Sequence, residues 1–171
     1  MYYFILGDRE ALITSKLAIK QNHLVTTLPI LTKEYEVIFE AMPTATVGGW
    51  RTVLHLTSLN HGNGGYGGRI PAIFPLGATW YITNAISGNG NFYAKNPVLK
   101  NNEWSTFRIK QSLENGKYEY RVYVNGKELD KRVNTQPRDF HEVKVYAGDP
   151  WYAAQPGFIK NLYVCGEYSF A

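Results

Sequence analysis

The sequence predicts a single all-β domain over residues 1–171, a two-sheet antiparallel jelly-roll sandwich with little or no helix. Three observations predict it. Apolar residues recur at every second position in one segment after another, tight-turn dipeptides separate the segments, and no segment carries a sustained helical period. A length of 171 residues with 44% hydrophobic and 19% charged residues is enough for one buried core.

The alternation is clearest in three segments. In Tyr35-Glu36-Val37-Ile38-Phe39-Glu40-Ala41 the odd positions are apolar, while Glu36 and Glu40 point the other way, as in a strand with one buried and one wet face. Residues 118–124 put the apolar face on even positions, and residues 143–147 put it on odd ones. Further strands are predicted over 50–57, 70–74, 79–86, 104–111, 127–133 and 158–164. Asn115-Gly116 and Asn125-Gly126 tolerate positive φ at both central positions of a hairpin, so residues 104–133 form a three-strand meander. Residues 87–91 read as another turn. Residues 58–68 (SLNHGNGGYGG) are rich in glycine and poor in apolar side chains, so they form a surface loop, a place where function concentrates. An immunoglobulin-type sandwich would want paired cysteines and a chain of about 100 residues, which favours the jelly roll here.

The bulk composition excludes several functions. The net charge is +4, and the one dense basic cluster, Lys127, Lys131 and Arg132, is interleaved with Glu128 and Asp130. A nucleic-acid partner would want a basic face or stripe, so none is expected. One cysteine, Cys165, allows no internal disulfide. The apolar start, Met1 to Leu6, is too short for a signal peptide and lacks its basic leader, and no run approaches the roughly 18 apolar residues that cross a bilayer. His23, His55, His61 and His141 show no ligand spacing for a transition metal.

The order of the pieces resembles the concanavalin A-like lectin and glucanase superfamily, nearest to its laminin G-like modules. Four segments carry the resemblance: residues 35–41 followed by 50–57; the glycine-rich loop running into 68–74; Glu103-Trp104-Ser105-Thr106-Phe107-Arg108-Ile109 with the hairpin strand ending at Gly126; and residues 143–151 followed by Gly157-Phe158-Ile159-Lys160-Asn161-Leu162. It spans about residues 20–166. The resemblance implies neighbouring first and last strands, Met1 to Leu6 beside Tyr163 to Phe170, and an extracellular or secreted setting such as cell adhesion. Calcium is the one cofactor it leaves open, with Asp149 as the rim ligand. The shortage of carboxylates speaks against that ion, which takes six to eight oxygens.

Two loops hold the candidate ligand-binding residues. The glycine-rich loop offers Asn60, His61, Asn63 and Tyr66, with Arg69 at its exit; amides and imidazole supply the donors and acceptors that sugar hydroxyls need, and Tyr66 a flat apolar platform. The second loop offers Asp149, Trp151 and Tyr152, a carboxylate beside aromatic rings. Its plainer alternative has Trp151 capping the sandwich core and Asp149 starting a turn. No catalytic residues are assigned. Glycosidases place two carboxylates about 5–10 Å apart, whereas Glu36 and Glu40 lie roughly 13 Å apart along a strand. The leading expectation is therefore a non-catalytic, lectin-like recognition module that binds glycan or an extracellular protein through rim loops. Second is a structural protein assembling, as a homo-oligomer for example, through sheet edges and its aromatic termini, Met1-Tyr2-Tyr3-Phe4 and Tyr168-Ser169-Phe170. A glycoside hydrolase or lyase is third.

Overall fold

The structure is a computed structural model and describes residues 10–94 and 97–166. Its strands are, in chain order, β1 (Glu10–Ile13), β2 (Leu17–Ala18), β3 (Leu24–Leu31), β4 (Tyr35–Pro43) and β5 (Arg51–Thr52). There follow β6 (Leu54–Thr57), β7 (Ala72–Leu76), β8 (Thr79–Ile86), β9 (Asn89–Tyr93) and β10 (Ser105–Glu114). The last are β11 (Lys117–Val124), β12 (Lys127–Asn134), β13 (Phe140–Tyr146), β14 (Ala153–Ala154) and β15 (Gly157–Gly166). No helix occurs among the described residues. A seven-stranded sheet runs β1-β15-β4-β10-β11-β12, with β2 also on β15, and a six-stranded sheet runs β3-β13-β6-β7-β8-β9. Both are antiparallel and pack as a sandwich; the short β5–β14 pair is parallel.

Period-two burial builds the interior. In β4 the odd residues Tyr35, Val37, Phe39 and Ala41 are buried, and their even neighbours are partly exposed. In β11 the even residues Tyr120, Val122 and Val124 are buried, as the sequence predicts. Phe39 and Phe107 are register partners on one sheet and stack with ring centroids 4.7 Å apart. Trp80 of the opposite sheet lies 5.8 Å from Phe107, so the two layers meet at this aromatic group. A polar contact crosses the interior: Asn84 Nδ2 donates to Tyr35 Oη at 2.7 Å. Burial pushes the Tyr35 phenol above its usual range.

The two Asn-Gly turns form as predicted, with φ of 50° and 77° at Asn115 and Gly116, and 51° and 78° at Asn125 and Gly126. The third predicted turn is shorter than expected. It is confined to Ser87 and Gly88, both at positive φ, and Asn89 already begins β9. Strand β3 has no counterpart in the sequence prediction, because Pro29 interrupts its pattern; as an edge strand paired with β13 it can spare the missing donor. β1 and β15 pair, Glu10 opposite Val164; Met1 to Leu6 and Tyr168 to Phe170 lie outside the described residues.

Several charged positions of the seven-stranded sheet pair with one another. Lys131 meets Glu119 at 2.8 Å and Arg132 meets Asp130 at 3.1 Å. Lys131 and Arg132 of the basic cluster of β12 are thus paired locally, and the charges of this strand guard an exposed sheet edge. Glu36 pairs with Arg108, and Glu40 lies 3.7 Å from Lys160.

Candidate functional site

A strand that sends alternate residues into the core sends the others outward. In the six-stranded sheet Leu54, Leu56, Ile73 and Ile82 join the core, so His55 and Thr57 of β6, Ala72 and Phe74 of β7, Tyr81 and Thr83 of β8, and Asn91 and Tyr93 of β9 share the outer face. The register aligns His55, Ala72, Thr83 and Tyr93 across four strands and sets Phe74 beside Tyr81.

At one end of this face the chain covers His55 completely. Nδ1 of His55 lies 2.7 Å from Asp149 Oδ2, and Nε2 donates to the Gly68 carbonyl at 2.6 Å; both side chains are 0% exposed. Nε2–H must donate, because a carbonyl only accepts, and Nδ1 shares a hydrogen with the Asp149 carboxyl group, so both ring nitrogens are engaged. Asp149 Oδ1 in turn accepts from the backbone N–H groups of Trp151 and Tyr152, at 2.9 and 2.8 Å. Burial, and then the charge of Asp149, raise the Tyr146 hydroxyl above its usual range. Trp151 and Phe74 pack edge-on against the imidazole, with centroids 5.5 and 5.4 Å away. His55 therefore clasps the glycine-rich loop, through Gly68, to the loop that starts at Asp149. With both nitrogens engaged and no exposure, it is not a free base.

Beyond this clasp the face opens into a cleft of about 450 Å³. Thr83 is its floor, and Phe74, Tyr81, Tyr152, Trp50 and Tyr93 form aromatic walls. Trp50 and Tyr93 are 47% and 56% exposed, so their rings are open to a ligand. Trp50 meets Tyr81 edge-on at 4.9 Å and Tyr81 meets Tyr93 at 5.7 Å, a row of rings crossing the sheet. The polar wall is Arg69 and Asn91. Arg69 bonds the Asn91 side chain and the Gly62 carbonyl, and its guanidinium carbon lies 4.8 Å from the Phe74 ring centre. The glycine-rich loop can reach this wall because β9 has no side chain beneath it: a Cβ on Gly90 would lie 2.2 Å from the Gly64 carbonyl oxygen.

Of the residues singled out from sequence, Arg69 and Tyr152 line the cleft. Asp149 and Trp151 lie under its rim. Asp149 does start a turn, while Trp151 packs on the outer face of the sheet, against His55 and Tyr146, rather than on the sandwich interior. Asn60 accepts from Lys144 Nζ at 2.7 Å, and His61 Nδ1 accepts from the Asn63 N–H at 3.3 Å; these three are exposed outside the cleft lining. Tyr66 is an anchor: its hydroxyl donates to the Gln136 carbonyl at 2.6 Å, and its ring packs on Phe140. Tyr66→Phe is expected to cost about 1 kcal/mol in urea denaturation and to leave cleft affinity unchanged. Asp149, the calcium ligand implied by resemblance, is turned inward onto His55, and no cluster of three or more His, Cys, Asp or Glu is gathered among the described residues.

Trp50, Phe74, Tyr81, Thr83, Asn91 and Tyr93 are cleft residues that sequence reasoning missed. The signal that marks three of them is parity: Tyr81 and Thr83 alternate with core residues Trp80 and Ile82, and Tyr93 follows Phe92, which packs against the core.

Solved structures share this architecture at low identity. The Ruminococcus gnavus IT-sialidase CBM40 aligns with a TM-score of 0.55 at 12% identity, covering 91% of this chain and 92% of that one. A SAP-like pentraxin from Limulus polyphemus aligns with a TM-score of 0.55 at 13% identity, over 89% of this chain and 73% of that one. Domains LG4-5 of the mouse laminin alpha1 chain align with a TM-score of 0.59 at 13% identity, over 88% of this chain and 41% of that one. No protein-family model matches the chain, and no curated protein sequence matches it. The chain has the concanavalin A-like jelly-roll fold, shared by carbohydrate-binding and laminin G-like modules.

Proposed function

We propose that the chain is a non-catalytic recognition module that binds glycan in the cleft on the outer face of the six-stranded sheet. The observation that carries this reading is the pairing of exposed rings with a fixed polar wall. The C–H faces of a sugar ring stack on aromatic rings such as Trp50 and Tyr93, while Arg69 and Asn91 offer hydrogen bonds to its hydroxyls. The Ruminococcus gnavus module of the same fold was solved with alpha2,3 sialyllactose bound, which supports a saccharide as the ligand class. Among the described residues no carboxylate lines the cleft, and Glu36 and Glu40 belong to the other sheet. This supports binding without hydrolysis.

The binding surface of this reading differs from the rim loops that the sequence points to. The loops supply Arg69 and Tyr152, and the strands supply most of the rest. A glycan array followed by calorimetry is the test. Trp50→Ala and Tyr93→Ala are each expected to weaken the best saccharide roughly tenfold or more with little change in melting temperature, because both side chains are exposed. Binding that survives both substitutions at full strength would place the ligand elsewhere.

A further inference from the structure

The cleft carries an uncompensated positive charge. Arg69 is permanently cationic, yet its side-chain partners are the neutral Asn91 amide, the Gly62 carbonyl at 3.2 Å and the Phe74 ring. Its Nε is buried without an acceptor among the described residues. Among the described residues, no acidic side chain lines the cleft. Asp149 is no counter-ion for it, because His55 and two backbone amides already take both its oxygens. Elsewhere the protein does pair such groups: Arg121 has a carboxylate at 2.7 Å and Arg132 one at 3.1 Å.

A guanidinium has five N–H donors, and the Arg69 bonds to Asn91 and Gly62 use one on each terminal nitrogen. One N–H on each of those nitrogens is left for a ligand. The fork is also held in place before any ligand arrives. Asn91 and Gly62 fix the guanidinium, and the preceding residue, Gly68, is pinned through its carbonyl by His55. A pre-positioned cation on the polar side of an aromatic cleft favours a ligand with one anionic substituent beside an apolar ring face.

Resting on the saccharide reading above, we propose that the ligand is an acidic sugar whose carboxylate or sulfate ester is seated on Arg69. Calorimetry on the full chain tests this with matched oligosaccharides: glucuronic and galacturonic acid forms, their carboxyl-reduced counterparts, and sulfate esters of the same neutral sugars. The wild-type protein is expected to bind at least one anionic form roughly tenfold or more tightly than its neutral partner. Arg69→Gln is expected to erase that preference, lowering affinity for the anionic form by a much larger factor than for the neutral one, and Arg69→Lys to retain part of it; circular dichroism melts confirm that both variants fold. Whether the carboxylate or the sulfate series shows the preference identifies the anion. Equal binding of acidic and neutral forms by the wild type, or a preference that persists in Arg69→Gln, overturns the acidic ligand and leaves the glycan reading standing. Silence toward every sugar in the panel, with the protein folded, overturns both.

Discussion

Asp149→Ala is expected to destabilise the protein by about 3–5 kcal/mol, the usual cost of leaving one partner of a buried pair alone. The removed carboxylate does three things at once. It faces the His55 imidazole at 2.7 Å and accepts the amides of Trp151 and Tyr152, and both it and the His55 side chain have zero exposure. What remains is a buried imidazole nitrogen without its partner and two amides without an acceptor. A typical domain holds only about 5–15 kcal/mol in total, so the loss is large enough to read directly in a denaturant titration. Asp149→Asn should recover the greater part. Its amide oxygen still accepts the two backbone N–H groups, and its NH2 donates to Nδ1 of a neutral His55, whose Nε2–H keeps its bond to Gly68. Equal destabilisation by the two substitutions would show that charge, rather than hydrogen bonding, holds the clasp.

Phe107→Ala is the second large effect, also expected at about 3–5 kcal/mol from lost burial and the cavity left behind. Phe107 is 0% exposed, stacks flat on Phe39 within its own sheet and reaches Trp80 across the interior. Its removal opens space at the point where the layers touch, with flat rings around it that have few rotamers with which to close the gap. A thermal melt lowered by only a degree or two would show that the sheets meet chiefly elsewhere.

The two predictions mark what could be read from residues alone. The Phe107 side of the molecule was legible, because β4, β10 and β11 are wet on one face and alternate cleanly. The six-stranded sheet was less so. In β6 and β7, Leu54 to Thr57 and Ala72 to Pro75 are all buried, since loops cover part of the outer face, and a strand covered on both sides shows no parity. No local pattern therefore marks His55, which the sequence shows only as a histidine without ligand spacing, as the centre of a clasp. Asn89 to Asn91, the first part of β9, read as turn because they are Asn and Gly, yet the glycine lets a loop lie over the strand. Arg69 and Tyr152 were found through their loops. Trp50, Tyr81 and Tyr93 gather only when strand pairing brings residues 50, 81 and 93 together, which is long-range information that no local pattern contains.

The clean division of the six-stranded sheet has an evolutionary consequence. Its inner residues answer to the interior, and on the proposed reading the exposed residues of its outer face answer to a ligand, with one backbone serving both. Trp50, Asn91 and Tyr93 can therefore drift toward a new ligand while Leu54, Ile73 and Ile82 go on holding the scaffold. Such a partition lets one architecture diversify its partners long after detectable sequence kinship has faded.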